Sequence, residues 1–139
     1  MKLLIALSFI LLVVTSCSKD DSTTCGMTKE NIAGNYKVTG NTYKQTPTSQ
    51  EENLMDDAAP CEIDDVITFN TNNTYEVADL GIACSPTNDD SGTWSVSGST
   101  LTIDGESTTI KSFNCKTLVA VTTDVFVAGD QITLTLTKQ

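Results

Sequence analysis

The chain has 139 residues, enough for one domain, and its formal net charge is −10 because 18 acidic residues outnumber eight lysines. This charge disfavours nucleic acid as a partner, since phosphate binding needs a basic surface. The sequence contains no histidine and no arginine. An imidazole general base, an imidazole metal ligand and a bidentate arginine clamp are therefore excluded.

A short apolar run, Leu3–Val14, follows a positively charged start. Its length is typical of a signal-peptide core and falls short of the about 20 residues that a membrane-spanning helix needs. Residues 13–17, Val-Val-Thr-Ser-Cys, resemble the lipobox of bacterial lipoproteins, whose cysteine is acylated and becomes the new N-terminus. The resemblance implies a lipoprotein signal peptide over residues 1–16, a lipidated Cys17 and a flexible tether over residues 17–30. An ordinary signal peptide, with this cysteine free or bridged, is the alternative.

Charged residues follow directly after the predicted lipidation site. They resemble the export signal that carries Bacteroidetes lipoproteins to the outer face of the outer membrane, with Lys19, Asp20 and Asp21 as its residues. Asp21-Ser22-Thr23 also resembles the O-glycosylation acceptor of that phylum, which would modify Ser22. The implied location is the outer membrane, with the protein held by its lipid and facing the cell exterior. A solvated charged linker is the alternative.

The clearest structural pattern lies in the segment 92–103, where apolar residues alternate with small hydroxylic ones on both sides of a turn. A two-residue loop at Gly98-Ser99, with glycine first, suits a type II′ turn. That loop pairs Val96 with Leu101 and Trp94 with Ile103, so these four side chains share one face of an antiparallel hairpin.

A second hairpin is predicted around residues 71–73, with an asparagine in the left-handed conformation. Its register pairs Phe69 with Tyr75 and Ile67 with Val77. The other strands are predicted at about residues 33–43, 106–113, 118–121 and 132–137, with a helical turn near 28–32 and a long polar loop at 45–60 that is either a lid or a solvated insertion.

Eight strands joined mostly by tight turns, without a long helix, predict an all-β domain over residues 31–139. Closing such a meander into an antiparallel up-and-down barrel removes its exposed edges, and eight strands leave room for side chains or one small ligand. A two-sheet sandwich gives the same alternation and is the alternative.

Five cysteines leave an odd one in an exported protein, and a lipid on Cys17 restores an even count. Extending the register of the second hairpin brings Cys61 and Cys84 together at its open end, which predicts a disulfide bond between them. Elimination then leaves Cys25 to pair with Cys115.

Several short motifs occur in the same order as in the lipocalin-like domains of Bacteroidetes outer-membrane lipoproteins: Gly34-Asn35-Tyr36, Cys61-Glu62-Ile63-Asp64-Asp65, Cys84, Gly92-Thr93-Trp94 and Ser97-Gly98-Ser99-Thr100-Leu101. The resemblance implies an eight-stranded calycin-type barrel and establishes no activity for most members. The chain departs from true lipocalins in two ways. Tyr36 stands where they have a tryptophan, and the late arginine that packs over that tryptophan is missing. The closed end of the barrel must therefore be sealed differently.

No nucleophile with a matching base is visible, so the sequence predicts neither a catalytic site nor an enzyme. Adjacent acids such as Asp64-Asp65 and Asp89-Asp90 point to opposite faces of a strand and form no dyad by themselves. Calcium binding at Asp89-Asp90 or Asp56-Asp57 would need oxygen ligands, but the spacing of an EF-hand is missing. We predict no metal and no cofactor.

The alternation places thirteen residues inside the barrel: Tyr36, Val38, Ile67, Phe69, Tyr75, Val77, Trp94, Val96, Leu101, Ile103, Ile132, Leu134 and Leu136. They either fill the core or leave part of the mouth of the barrel open. In the second case, the candidate ligand contacts are Tyr36, Phe69, Tyr75, Trp94 and Leu101.

Two functions remain. The first is a surface-anchored lipocalin-like lipoprotein that binds a small apolar or glycan-derived ligand. The second is a non-enzymatic structural or accessory module that contacts another envelope protein through its loops or a barrel face. An open cavity favours the first, and a filled barrel with an exposed apolar patch favours the second.

Overall fold

The computed structural model describes residues 25–139. The predicted signal peptide, the lipidation site Cys17, the export signal Lys19, Asp20 and Asp21, and the glycosylation candidate Ser22 lie outside the described residues and stay predictions. No helix within residues 25–139 combines the length and apolar character needed to cross a bilayer.

Within residues 25–139, nine antiparallel strands form one sheet, with two short helices and a 3₁₀ turn at its ends. The strands are β1 Gly34–Lys44, β2 Glu52–Asn53, β3 Val66–Phe69, β4 Thr74–Ala78, β5 Asp90–Ser97, β6 Thr100–Ile103, β7 Glu106–Phe113, β8 Thr117–Thr123 and β9 Gln131–Lys138. The helices are α1 Lys29–Ile32 and α2 Pro60–Ile63, and the 3₁₀ turn is Leu54–Asp56. Strands β1 and β3 to β9 pair in chain order, and β9 pairs with β1, while the two-residue β2 pairs with β1 alone among the described strands. The predicted eight-stranded up-and-down barrel is confirmed, and the closing β1–β9 pairing excludes the sandwich.

Both predicted hairpin registers are confirmed. In the first, Trp94 lies opposite Ile103 and Val96 opposite Leu101. Gly98 has a φ of 56°, which begins the tight turn between them. In the second hairpin, Phe69 lies opposite Tyr75 and Ile67 opposite Val77. The left-handed residue of its loop is Asn73, with a φ of 71°.

The extension of β3 back to Cys61 is wrong, because Pro60–Ile63 is a helical turn. Proline at the first helical position has no N–H to leave unsatisfied, and the Ala59 N–H donates to Glu62 Oε2 at 2.8 Å. Ile63, which the alternation places on the face of Ile67, is consequently 42% exposed.

The turns and loops that connect the strands lie at two ends of the barrel. The closed end holds α1 and the turns 70–73, 98–99 and 114–116, whereas the open end holds the turn 104–105 and the segments 45–65, 79–89 and 124–130. Residues 25–30, which the sequence assigns to the tether, pack against the closed end: Cys25 is buried and bonded to Cys115. Helix α1 begins after Thr28, whose Oγ1 accepts the N–H of Asn31.

The closed end is sealed without the tryptophan–arginine pair typical of lipocalins. Ile32 is completely buried there, and its carbonyl accepts the hydroxyl of Tyr36 at 2.6 Å. The ammonium of Lys138 lies 5.6 Å from the centroid of the Tyr36 ring and donates to the Asn31 carbonyl at 2.8 Å. Gly34 leaves room for this lysine, because a Cβ there would collide with the lysine side chain. A tyrosine–lysine pair therefore closes this end.

The core includes residues of β7 and β8 that the sequence prediction did not list. Ile110, Phe113, Leu118 and Ala120 are all buried. The pairing of β7 with β8 shifts register between Ile110 and Ser112, and this irregularity lets Phe113 share the inner face with Ile110.

Candidate ligand cavity at the open end of the barrel

An apolar cavity of about 290 Å³ lies inside the half of the barrel that faces the open end. Its walls come from β3, β4, β6, β7, β8 and β9, and the strand ends near the open end supply most of them. The apolar lining residues are Ile67, Phe69, Tyr75, Val77, Leu101, Ile103, Ala120, Leu134 and Leu136.

Three of the five candidate ligand contacts, Phe69, Tyr75 and Leu101, line this cavity, but Tyr36 and Trp94 do not. The Phe69 ring packs 5.0 Å from the Trp94 ring and 5.7 Å from the Tyr36 ring, between centroids. The Trp94 indole N–H donates to the Asn70 carbonyl at 2.9 Å, which satisfies its polar atom. The barrel is therefore filled at its closed half and open at the other.

Polar side chains at the outer end of the cavity were not predicted as site residues. Glu106 pairs directly with Ile103 across the turn 104–105, so both side chains point to the interior face. Deeper in the cavity wall, the Thr122 hydroxyl donates to the Thr108 hydroxyl at 2.9 Å. The β5–β6 hairpin puts Ile103 on the interior face. A two-residue turn at 104–105 pairs that residue with Glu106, so the sequence alone could have placed Glu106 on the same face.

The hydroxyl of Tyr75 joins two carboxylates beside the cavity. It lies 2.8 Å from Asp104 Oδ2 and 3.1 Å from Asp90 Oδ2. The hydrogen bond to Asp104 raises the pKa of Tyr75, and burial adds to this shift. The backbone N–H of Thr93, together with the Tyr75 hydroxyl, lowers the pKa of Asp104. Gly92 permits this arrangement, since a Cβ there would overlap the Asp104 carboxylate.

The other acidic pairs of the open end organise loops. Asp64 accepts the N–H of Ile82, and Asp79 accepts the N–H groups of Cys84 and Asn88. Asp89 accepts the N–H of Asp79. Within residues 25–139, no group of three or more cysteine, aspartate or glutamate residues is close enough together to hold a metal ion.

The loop 124–130 is built around one buried carboxylate. Asp130 is completely buried and accepts the backbone N–H groups of Val125, Phe126 and Val127 at 2.7, 2.9 and 3.0 Å. Burial by itself would raise the pKa of Asp130, but these N–H groups outweigh it and lower the pKa. The loop presents Phe126 with 71% of its surface exposed, and its ring packs 5.7 Å from that of Tyr43.

The long segment 45–65 borders a second, more open depression of about 350 Å³. Leu54, Met55 and Asn41 line it, and Leu134 borders both this depression and the cavity. None of the residues lining the cavity comes from the segment 45–65. The segment therefore lies beside the cavity in this conformation and does not cover it as a lid.

Two disulfide bonds join the pairs expected from the sequence, one at each end of the barrel. Cys25 is bonded to Cys115 at the closed end, and Cys61 to Cys84 at the open end, each with a Cα–Cα distance of 5.2 Å. The second bond links α2 to the segment 79–89, rather than two extended strands.

A comparison with protein families matches residues 32–120 to the lipocalin-like domain. No curated protein and no solved structure matches the chain. The match spans most of the barrel, from the end of α1 into β8. The chain belongs to the family of lipocalin-like domains.

Proposed function

We propose that this protein binds a small apolar molecule in the cavity at the open end of the barrel. The observation that carries the proposal is an apolar cavity of about 290 Å³ next to a filled half-barrel. Lipocalin-like domains are generally non-enzymatic binding folds that take small hydrophobic ligands. The volume is close to the lower end of the about 300–1,000 Å³ typical of ligand pockets, which favours a short-chain ligand.

The expected affinity follows from the size of the cavity. Each buried methylene contributes about 0.8 kcal/mol, so an eight-carbon chain gains about 6 kcal/mol from leaving water. Association costs at least about 4 kcal/mol in lost freedom of motion. A simple alkyl ligand should consequently bind weakly, and extra contacts with the polar groups at the open end would decide which ligand is held well.

The proposal is tested with the uncharged fluorescent probe N-phenyl-1-naphthylamine. We expect its emission to rise on binding, and octanol to displace it. Ala120→Leu places a larger side chain in the cavity wall, whereas Val119→Leu adds volume on the outer face of the same strand. Loss of probe binding in the first variant alone supports the cavity as the site.

Thr122→Leu is a second filling variant, nearer the open end of β8, in case the first one fails to fold. The proposal is overturned if the parent protein leaves the probe emission unchanged. It is also overturned if both filling variants fold and bind the probe as tightly as the parent. A panel that includes oligosaccharides tests whether the ligand is glycan-derived.

We also propose that the chain is a lipoprotein anchored through Cys17 on the outer face of the outer membrane. The disulfide bond of Cys25 holds the chain at the closed end of the barrel. Eight residue steps separate Cys17 from Cys25 and span at most about 28 Å. The closed end would then face the membrane, and the cavity would face the surroundings.

Cys17→Ala should release the protein into the soluble fraction, and continued membrane association after normal processing would contradict the anchor. Replacing Lys19, Asp20 and Asp21 by alanine should retain the lipid but remove protease accessibility on whole cells. Persistent accessibility would exclude this segment as the export signal. Ser22→Ala should lower the mass of the protein if that serine carries a glycan.

A second candidate function is supported by exposed apolar side chains at the open end. Phe126 is 71% exposed and Ile82 is 60% exposed. In this alternative, the open end contacts another protein of the cell envelope. Phe126→Ser and Ile82→Ser should then abolish cross-linking to that protein in whole cells while leaving probe binding intact. Unchanged cross-linking would argue against it.

A further inference from the structure

The cavity carries a carboxylate at its outer end. Glu106 lines the cavity, and its side chain makes no hydrogen bond or ion pair with any group of residues 25–139. Its partner across the hairpin, Ile103, is part of the apolar wall. A ligand with its apolar body among these side chains would therefore place its polar head beside a carboxylate.

Two further carboxylates strengthen the negative potential on the same side. Asp90 and Asp104 both contact the hydroxyl of Tyr75, which lines the cavity. That hydroxyl has one proton and can donate it to only one carboxylate at a time. The phenol keeps its proton when it donates a hydrogen bond, so it brings no positive charge to these carboxylates, which lie beside a wall of low polarity that screens charge less than water does.

Lysines do not neutralise this side of the barrel. Lys29, Lys116 and Lys138 belong to the closed end, in α1, in the turn 114–116 and at the end of β9. Lys44 lies at the open end of β1, and its ammonium is 3.6 Å from Glu51 Oε2. Lys37 in β1 and Lys111 in β7 are the remaining two lysines of residues 25–139, and none of the six lines the cavity.

We propose that the cavity selects amphiphiles with a cationic head, such as an alkylammonium, over neutral and anionic ones of the same chain length. This inference rests on the proposed ligand-binding function. The apolar body binds through the cavity wall, and the ammonium lies beside Glu106, which is the principal head-group contact. A carboxylate head at the same place is repelled by the three acids.

The test compares octylamine, octanol and octanoate as competitors of N-phenyl-1-naphthylamine. Their alkyl chains are the same, so differences in affinity report the head group, and the amine is charged at neutral pH as a lysine side chain is. Partly exposed ion pairs contribute modestly, so we expect octylamine to bind about three- to fivefold more tightly than octanol. Octanoate should bind more weakly than octanol.

Two variants separate the local contact from net charge. Glu106→Gln should reduce the octylamine preference, measured as the ratio of the octanol and octylamine dissociation constants in the same protein, to less than half of its parent value. Glu30→Gln removes the same charge from α1 at the closed end and should leave the preference as it is. The preference should also decrease from about 0.01 M to about 1 M salt, over which the Debye length falls from about 30 Å to about 3 Å.

Equal affinity for octylamine and octanol in the parent would overturn the inference, as would a preference that Glu106→Gln leaves intact. Either result leaves the binding function standing, because the probe and octanol still bind. If neither the probe nor any of the three competitors binds, the proposed function itself fails.

Discussion

Different kinds of interaction hold the two ends of the barrel together. At the closed end, apolar groups pack together: Ile32 is completely buried, and the hydroxyl of Tyr36 is bound to its carbonyl. At the open end, carboxylates hold loops through backbone N–H groups, as Asp79 and Asp130 do. The strands are continuous between these ends and follow the same alternation. The difference indicates that stability is concentrated at one end and surface available for binding at the other.

The same difference is visible in two tyrosines of β1. Tyr36 is fully buried and donates at 2.6 Å, whereas Tyr43 is half-buried and lies 3.3 Å from Asp130 Oδ2. Burial raises the pKa of Tyr36 to about 12. One strand thus begins in a well-packed core and ends among solvated loops.

Removing a disulfide bond should have the largest effect, and the effect should be greater at the closed end. The Cys25–Cys115 bond spans 90 residues and the Cys61–Cys84 bond spans 23. The chain-entropy model assigns about 4.5 kcal/mol to the first and about 3.5 kcal/mol to the second. Denaturant unfolding of the two double serine variants measures both losses. A larger loss from the open-end bond would show that contacts in the folded protein, rather than loop length, decide which bond matters more.

Trp94→Ala should lower the free energy of unfolding by about 3–5 kcal/mol, the usual range for deleting a large buried aromatic side chain. Trp94 is 2% exposed and packs on Phe69 in the filled half. Ser95→Ala, on the outer face of the same strand, is the control and should change stability by less than about 0.5 kcal/mol. Equal stabilities of the two variants would refute the inward register of β5.

Tyr36→Phe should cost about 1–3 kcal/mol, because it leaves the buried carbonyl of Ile32 without its donor. Tyr43→Phe is the matched change at the open end of the same strand and should cost clearly less, since water can replace its hydrogen bond. Thermal unfolding of both variants measures the difference. Equal costs would show that the two ends of β1 are similarly packed.

Acid should loosen the open end first, with the smallest effect on overall stability. The pKa of Asp130 is lower in the folded protein than in the unfolded chain, so its stabilisation is present above the unfolded value of about 3.9. That stabilisation is lost as the pH falls through the lower, folded value. Protection of the Val125, Phe126 and Val127 amides from hydrogen exchange should therefore decrease below about pH 4.

The Ile32 N–H, which donates to the Thr28 carbonyl at 3.0 Å, is the internal reference at the closed end and should keep its protection. Asp130→Asn should reduce protection of the loop amides already at neutral pH. If all these amides lost protection together, the open end would be no more acid-sensitive than the closed end.

Sequence alone predicted both hairpin registers and a lipocalin-like domain, but it left a two-sheet sandwich as an alternative to the barrel, which the pairing of β9 with β1 excluded. Strand alternation and turn chemistry are local properties, so the pairs Trp94–Ile103 and Phe69–Tyr75 followed from spacing and from the residues of their turns. The segment 60–63 was misassigned because its apolar spacing fits a strand, whereas the proline and the Glu62 contact with the Ala59 N–H start a helix.

Only the tertiary structure decided where the barrel is filled and where it is open. Trp94 and Leu101 belong to one hairpin and face the same interior, but only Leu101 lines the cavity. Alternation specifies the face on which a side chain lies. Whether the space beside that side chain is filled depends on the side chains of distant strands and on the buried Ile32 of α1. The position of Lys138 over Tyr36 likewise depends on the pairing of the last strand with the first. Contacts between residues a hundred positions apart leave no periodic pattern in a single sequence. These contacts determine where the cavity lies and how the two ends of the barrel differ.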